Sequence, residues 1–335
     1  MTQPTGLATT AAELLPGLRA FAIPMRTRFR GITLREGALV EGPAGWGEFS
    51  PFPEYGPREC ARWLACALEA ATVGWPAPVR ARIPVNVTVP AVGPEQASVV
   101  VAASGCRTAK VKVAEPPQPG QGGGWEASIR ADMDRVAAVR DALGPDGLVR
   151  VDANGAWDVD VAERALRQLG RFDLEYAEQP CATLPELAEL RRRVDVPLAA
   201  DESIRRASDP LTVRAAGAAD IVVLKAQPLG GVRTALRVAE ACGLPVVVSS
   251  AVETSVGLAT GTALAAALPE LRHACGLATM SLLTSDVTSD PLTERGGFLD
   301  VRRPTVDLSR LAAWEVDPAP WRARATAAAE FLEQE

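Results

Sequence analysis

Histidine is almost missing from this chain. Of 335 residues only His273 carries an imidazole. That leaves almost no room for a Ser-His-Asp triad and none for an HExxH zinc site or a multi-histidine metal cage. Lysine is nearly as scarce: of 35 lysine and arginine residues only three, Lys110, Lys112 and Lys225, are lysine. No CxxC pair occurs among the six scattered cysteines, which excludes a thiolate zinc frame and reads as buried thiols in a reducing cytoplasm. No apolar run approaches the roughly 18 residues of a membrane span. The N-terminus has neither the basic opening nor the compact apolar core of a secretory signal. A net charge of −6 gives no electrostatic footing for nucleic acid. The absences leave a soluble protein acting on a small molecule, with no membrane and no nucleic-acid partner. The oligomeric state stays open, and a monomer is compatible with the sequence.

The scarcity of lysine sharpens what the survivors mean. Arginine supplies surface charge but stays protonated at any working pH, whereas an amine can be lowered into the range of a base. Three lysines kept in a chain that otherwise uses arginine are either chance survivors or groups whose chemistry needs a titratable amine.

The chain passes through two regimes. From about Arg19 to Ser50, β-prone stretches alternate with turn residues, as in an antiparallel meander, and Pro57–Ala71 has helical spacing. From about Ile83, apolar runs alternate with amphipathic helical stretches. The runs are IPVNVTVP, TAKVKVA, GLVRVDAN, LEYAEQP, PLAADES, DIVVLKAQ, LPVVVSS and, less clearly, HACGLATM. Runs without polar alternation fit strands covered on both faces. About eight repeats over this length fit a parallel α/β barrel, and no GxGxxG follows the first strand to favour an open dinucleotide-binding sheet. The expected divisions are an N-terminal α+β domain over residues 1–82, a barrel over 83–297 and a tail over 298–335 that returns to the N-terminal region. The glycine-rich stretch between Pro116 and Trp125 is expected to be a loop.

At the C-terminal ends of barrel strands side chains converge on one mouth, and there the charges form a series. Lys110 and Lys112 lie on KVK, Asp152 on VRVDAN, Glu178 on EYAEQP, Asp201 and Glu202 on AADES, and Lys225 on VVLKAQ. The acids and the last lysine lie 26, 23 and 24 residues apart, one strand–helix unit each. Singly, each has a plainer reading: Asp152 or Asp201 as a helix cap, Glu178 as a rim ion pair, the lysine pair as a solvated strand face. Together, three acids on successive strands with every lysine of the protein on flanking strands point to one site. Oxygen-only donors with open positions suit a single Mg²⁺. A dication on one side of a carboxylate substrate and amines on either face of its α-carbon suit proton abstraction α to that carboxylate.

KVK, DANGAW, EQP, DES and LKAQPLGG, in this order, resemble the enolase superfamily, in particular its muconate-lactonizing-enzyme-like branch. The resemblance implies a (β/α)7β TIM-like barrel with an α+β capping domain built from the N-terminus and the C-terminal tail. It implies Mg²⁺ ligands at Asp152, Glu178 and Asp201. Lys112 is then the base, Lys225 the stabiliser on the opposite face and Lys110 a neighbour that tunes Lys112. Arg150, Ser249, Ser250, Gly276 and Arg28 are expected to contact substrate, with Arg26 and Arg30 as further candidates for closing over a dianion. Asn154 and Glu202 support metal and lysines from behind, and Glu253 is read as a helix cap. PMRTRFRG, WGEFSPFPEYG and SSAVETSVGLA draw the resemblance towards the members that dehydrate 2-succinyl-6-hydroxy-2,4-cyclohexadiene-1-carboxylate in menaquinone biosynthesis. Racemization of N-succinylamino acids on the same scaffold, or a non-catalytic barrel binding Mg²⁺ or an organic acid, are the alternatives.

Overall fold

The computed structural model describes residues 6–117, 123–205 and 211–332. The middle of the glycine-rich stretch, 118–122, and the first five residues of the N-terminus lie outside them. In chain order the strands are β1 (Arg19–Phe29), β2 (Ile32–Gly42), β3 (Gly45–Phe49), β4 (Arg82–Pro84), β5 (Val87–Val89), β6 (Thr108–Lys112), β7 (Leu148–Asp152), β8 (Leu174–Glu178), β9 (Leu198–Ala200), β10 (Ile221–Leu224), β11 (Val246–Val248), β12 (Phe298–Asp300) and β13 (Glu315–Val316). The helices are α1 (Leu7–Leu14), α2 (Pro57–Thr72), α3 (Pro94–Ser104), α4 (Gly124–Leu143), α5 (Val159–Leu169), α6 (Leu184–Arg191), α7 (Glu202–Arg205), α8 (Thr212–Ala215), α9 (Val232–Cys242), α10 (Ser255–Ala267), α11 (Leu308–Trp314) and α12 (Ala319–Ala329).

The meander forms as its turn residues demand. Phe29 pairs with Ile32, so Arg30 and Gly31 make a two-residue hairpin turn, and both have positive φ (50° and 79°). Such a turn needs left-handed backbone at both positions and matches the twist of the strands it joins. β1, β2 and β3 then pair antiparallel, and β13 from the tail adds to the free edge of β1 through Ala20↔Val316. Helix α2 packs on this sheet, started by Pro57 at its first position with the Glu59 carboxylate accepting the Gly56 N–H (3.3 Å). Phe49, Trp63, Leu64, Leu68, Ala325 and Ala328 form a core of their own there.

The second regime is a parallel sheet in the order β5-β6-β7-β8-β9-β10-β11. It closes through Cys275 and Gly276. Asn86 and Ser250 donate to the carbonyls of Cys275 (2.9 Å) and Gly276 (3.0 Å), and Val85 and Ser249 bridge to the same two residues. The eighth strand position is thus two residues long, which is why HACGLATM has so weak a strand pattern. The expected strand IPVNVTVP is divided: β4 turns away to pair antiparallel with β12, and only β5 enters the barrel. Caps mark the helices between strands. Asp158 accepts from Val161 N (2.8 Å) ahead of α5, and Thr183 and Glu186 form a reciprocal box at α6 (2.9 and 3.4 Å).

The meander lies against α2 so closely that Gly42 and Gly47 admit no side chain. A Cβ on Gly47 would stand 2.0 Å from the Ala67 carbonyl oxygen of α2. We expect Gly47→Ala to lower the unfolding free energy by about 2–3 kcal/mol or more, as overpacking against backbone does. Urea denaturation checks this, and an unchanged midpoint would mean that the helix and sheet are not locked together there.

Candidate active site

Parallel register does the first part of the work. Lys112 pairs with Asp152 across β6 and β7, and Asp152 with Glu178 across β7 and β8. Asp201 follows β9 immediately and Lys225 follows β10. Inward-facing strand ends at one level therefore carry the series that the sequence spacing predicts. β6 and β10 hold the second and sixth of eight positions around the barrel, so Lys112 and Lys225 rise from opposite walls. Both line one cavity with Lys110, Asp152, Asn154, Asp201, Glu202, Ser249, Ser250 and Gly276.

Asp152, Glu178 and Asp201 are each about 1% exposed, and charges so deep need compensation. The lysines provide it. Lys110 Nζ bridges Glu178 (3.0 Å) and Asp152 (3.2 Å), Lys112 Nζ meets Asp152 (2.6 Å) and Lys225 Nζ meets Asp201 (2.5 Å). Glu178 Oε2 is buried with no hydrogen-bond partner. Among the described residues no three histidine, cysteine, aspartate or glutamate side chains stand together as a metal-holding group. The ammonium groups lie among the carboxylates instead. The donor set nonetheless suits a hard dication: oxygen only, one carboxylate on each of three adjacent strands, and one buried oxygen without a donor.

The same contacts set the protonation preferences. Burial lowers the Lys112 amine, Asp152 opposes that, and the Lys110 charge adds to the lowering. Lys110 is held protonated against burial by Glu178 and Asp152. Burial and the Asp152 charge push the Glu178 carboxyl up to about 7. Asp152 resists its own burial and stays well below the usual carboxylate range because Lys112 and Lys110 face it.

Asn154, at φ 49°, accepts from Lys112 Nζ (2.8 Å) and donates to Glu202 (3.3 Å), linking the lysine on β6 to the turn after β9. Ser250 Oγ lies 2.8 Å from Thr279 Oγ1. Glu253 is not the cap of α10, where Thr254 accepts from Val256 N (3.3 Å); it accepts from Ala251 N (2.7 Å) and so folds the loop before that helix.

Two expected substrate contacts are placed elsewhere. Arg150 shares its strand face with Asp152 but sits one layer deeper, wholly buried. There it donates to Glu175 (2.5 Å), Asn86 (3.1 Å) and the Ala274 carbonyl (2.7 Å), bracing the barrel interior below the cavity. Sharing a face does not give a side chain access to the mouth when a layer lies above it. Arg28 is exposed and lines an adjoining groove with Lys112 and Asn154 rather than the cavity itself. The hairpin turn brings Phe29 and Arg30 inward instead. Arg26 is exposed and donates to the Leu283 carbonyl (3.0 Å).

Sequence reading missed Phe29, Thr88, Ala251, Val252 and Thr279 on the cavity wall. Thr88 was accessible, since it pairs with Lys110 in register and shares the alternation of VNVTVP. Gln179 was missed for its side chain. It accepts from Asp201 N (3.0 Å) and Ser203 N (3.2 Å) and donates to Ser203 Oγ (2.8 Å), fixing the turn that presents Asp201.

The chain matches known proteins over nearly its whole length. The family described as enolase C-terminal domain-like matches residues 94–305, and the enolase N-terminal domain-like family matches residues 20–71. The chain belongs to the enolase superfamily. Among superfamily relatives, an o-succinylbenzoate synthase of Thermobifida fusca (strain YX) is 70% identical over 316 residues, covering 94% of this chain and 97% of that protein. An o-succinylbenzoate synthase of Mycobacterium ulcerans (strain Agy99) is 54% identical over 312 residues, 92% and 91% of the two chains. The superfamily fold recurs in the N-succinyl Arg/Lys racemase of Bacillus cereus ATCC 14579, at TM-score 0.74 and 20% identity over 89% of this chain and 96% of that one. Muconate lactonizing enzyme of Pseudomonas putida matches at TM-score 0.72 and 22% identity, over 89% and 98%. At such identity the likeness is one of fold.

The brace below the cavity yields a pH prediction. Burial would raise the Glu175 carboxyl, but hydrogen bonds from His273 (2.6 Å) and Arg150 hold it down to about 2. A depressed folded-state value stabilises the fold above about 4.5, the ordinary glutamate range, and that stabilisation is lost as pH falls towards 2. Glu175→Gln should therefore cost on the order of 2 kcal/mol at pH 7, and the gap to the parent should close in acid. Denaturant unfolding across pH 7 to 3 reads this directly, and a gap independent of pH would contradict it.

Proposed function

We propose that the protein is an o-succinylbenzoate synthase. It removes water from 2-succinyl-6-hydroxy-2,4-cyclohexadiene-1-carboxylate, a step placed in the cytoplasm and serving menaquinone synthesis. The carrying observation is the pair of amines, Lys112 and Lys225, on opposite walls of one cavity that Asp152 and Asp201 also line. The 70% identity to a protein of that name supports the choice of substrate, and the buried thiols of all six cysteines support a reducing compartment.

Asp152, Glu178 and Asp201 are the groups that would hold Mg²⁺, which when bound supplies Lewis-acid stabilisation of charge building on the substrate carboxylate. Lys112, whose amine burial lowers, takes the proton from the ring carbon bearing the carboxylate, and the electron pair left behind moves towards that carboxylate. As the ring aromatises, the C–O bond to the 6-hydroxyl breaks. Lys112 returns its proton to the departing hydroxyl, which leaves as water, and the amine is neutral again. Lys225, its Nζ 2.5 Å from Asp201, faces the developing negative charge from the other wall. Lys110, pinned between Glu178 and Asp152, keeps a positive charge beside Lys112 and opposes its protonation. Ser249, Ser250 and Gly276 with Thr279 wall the part of the cavity left for the succinyl arm. Arg30 and Phe29 cover it from the cap.

The test is turnover of the cyclohexadiene carboxylate, followed by the absorbance of the aromatic product. Activity should require Mg²⁺ and vanish with EDTA. Lys112→Ala and Lys225→Ala should each lower kcat by about 10²–10⁴. The opposed amines also suit two-base racemization of N-succinylamino acids. If the parent exchanges and inverts such a substrate faster than it dehydrates the diene, or if Lys112→Ala keeps its turnover, the synthase reading is wrong.

A further inference from the structure

The loop between β11 and α10 walls the cavity with Ser249, Ser250, Ala251 and Val252, and Val252 is held at φ +62°. For a β-branched residue that conformation is strained, and strain persists only where the surroundings impose it. Within the loop Ala251 N donates to Glu253 (2.7 Å) and Val252 N to Ser250 Oγ (3.2 Å), and the capping sheet holds the loop from outside. Arg35 of β2, 2% exposed, donates from Nε to the Val252 carbonyl (2.9 Å). The rest of its guanidinium is fixed on cap groups: the Ser50 carbonyl (2.5 Å), Ser50 Oγ (2.8 Å) and the Glu36 carbonyl (2.8 Å). Two residues after Val252, the end of the loop is gripped again. Glu48 of β3 accepts from Thr254 Oγ1 (2.5 Å), Thr254 N (3.4 Å) and Gly257 N (3.0 Å), and its other neighbour is Ser50 Oγ (2.7 Å). Ser50 thus stands between the two grips, touching both Arg35 and Glu48.

We propose that Arg35 is a positioning residue. By anchoring the Val252 carbonyl to the cap it sets the strained loop that shapes the substrate-holding side of the cavity, next to Lys225 and across from Lys112. Arg35 does not line the cavity and exchanges no proton there, so its effect is carried by where Ser250, Ala251 and Val252 stand. The reasoning is specific to the guanidinium. Its planar fork satisfies a loop carbonyl and three cap oxygens at once, which a single ammonium cannot do with the same geometry. It rests on the synthase reading only for the choice of substrate.

Four variants test the idea: Arg35→Met, Arg35→Lys, Val252→Gly and the double variant Arg35→Met/Val252→Gly. With the cyclohexadiene carboxylate, Arg35→Met should raise KM about tenfold while kcat changes less than about threefold, and Arg35→Lys should fall in between. Glycine takes φ +62° without strain, so in the Val252→Gly background the loss of Arg35 should raise KM by less than about threefold. A part that merely knits cap to barrel would show the same penalty in both backgrounds. Hydrogen exchange gives a readout without turnover. In Arg35→Met the amides of Ala251 and Val252 should exchange at least tenfold faster, with β6, β7 and β8 unchanged. An unaltered KM, an equal penalty in both backgrounds, or unaltered exchange in the loop overturns the assignment. If Arg35→Met does not fold, the same readouts on Arg35→Lys decide, with unchanged KM and exchange overturning it. A parent that fails to turn over the diene refutes the synthase reading by itself, and the exchange result still decides the role of Arg35.

Discussion

The constraint from which the rest follows is the burial of three carboxylates within one ring of strand ends. Asp152, Glu178 and Asp201 have almost no contact with water, and removing one partner of a buried charge pair commonly costs about 3–5 kcal/mol. Such a group of acids survives only if cations are delivered to it at fixed positions. Here all three lysines of the protein do so, each within 3.2 Å of a carboxylate oxygen. The arrangement couples stability to chemistry. The amines that neutralise the acids are the ones that can meet a substrate, and a dication bound to the acids would release them to do so.

Parallel strand pairing makes this placement economical. Because Lys112, Asp152 and Glu178 occupy register partners on β6, β7 and β8, one inward position repeated on successive strands assembles the cluster without a special loop. The loops then add refinement. Gln179 holds the turn carrying Asp201, Asn154 ties Lys112 to Glu202, and the Arg30–Gly31 turn leans the cap over the mouth. Below, Arg150 and Glu175 brace the interior so that the ring above keeps its spacing.

What could be read from the sequence divides along the same line. Periodicity and unit spacing disclosed the parallel barrel, the meander, α2 and the charge series, because these depend on local pattern and on one repeated register. The mistakes involve depth and direction. Arg150 has the same strand parity as Asp152, and parity cannot say how many layers lie above a side chain. Arg28 and Arg30 both point off the same hairpin, and only the left-handed turn at Arg30–Gly31 decides which one reaches the cavity. Val252 and Thr279 lie in segments without periodicity, so no pattern announces them. The two-residue eighth strand and the pairing of β13 with β1 are tertiary facts, held by distant partners rather than by propensity.

The division of labour between barrel and cap bears on specificity. Aromatisation makes the proposed dehydration intrinsically easy, so the proposed proton-transferring lysine, Lys112, needs only modest help, and little selective pressure falls on fine geometry at the reacting carbon. Discrimination must then come from the walls that hold the rest of the substrate. Those walls are built jointly: Phe29 and Arg30 from the hairpin, and Ser250 through Val252 from a barrel loop whose backbone is tied to the cap by Arg35 and Glu48. A change in the cap can therefore reshape the cavity while leaving Lys112, Lys225 and the carboxylates where they are. The same fold recurs in a racemase and a lactonizing enzyme. On the proposed reading the barrel carries the group that moves the proton, and the cap, acting partly through a strained loop, shapes the walls that choose the molecule it is taken from.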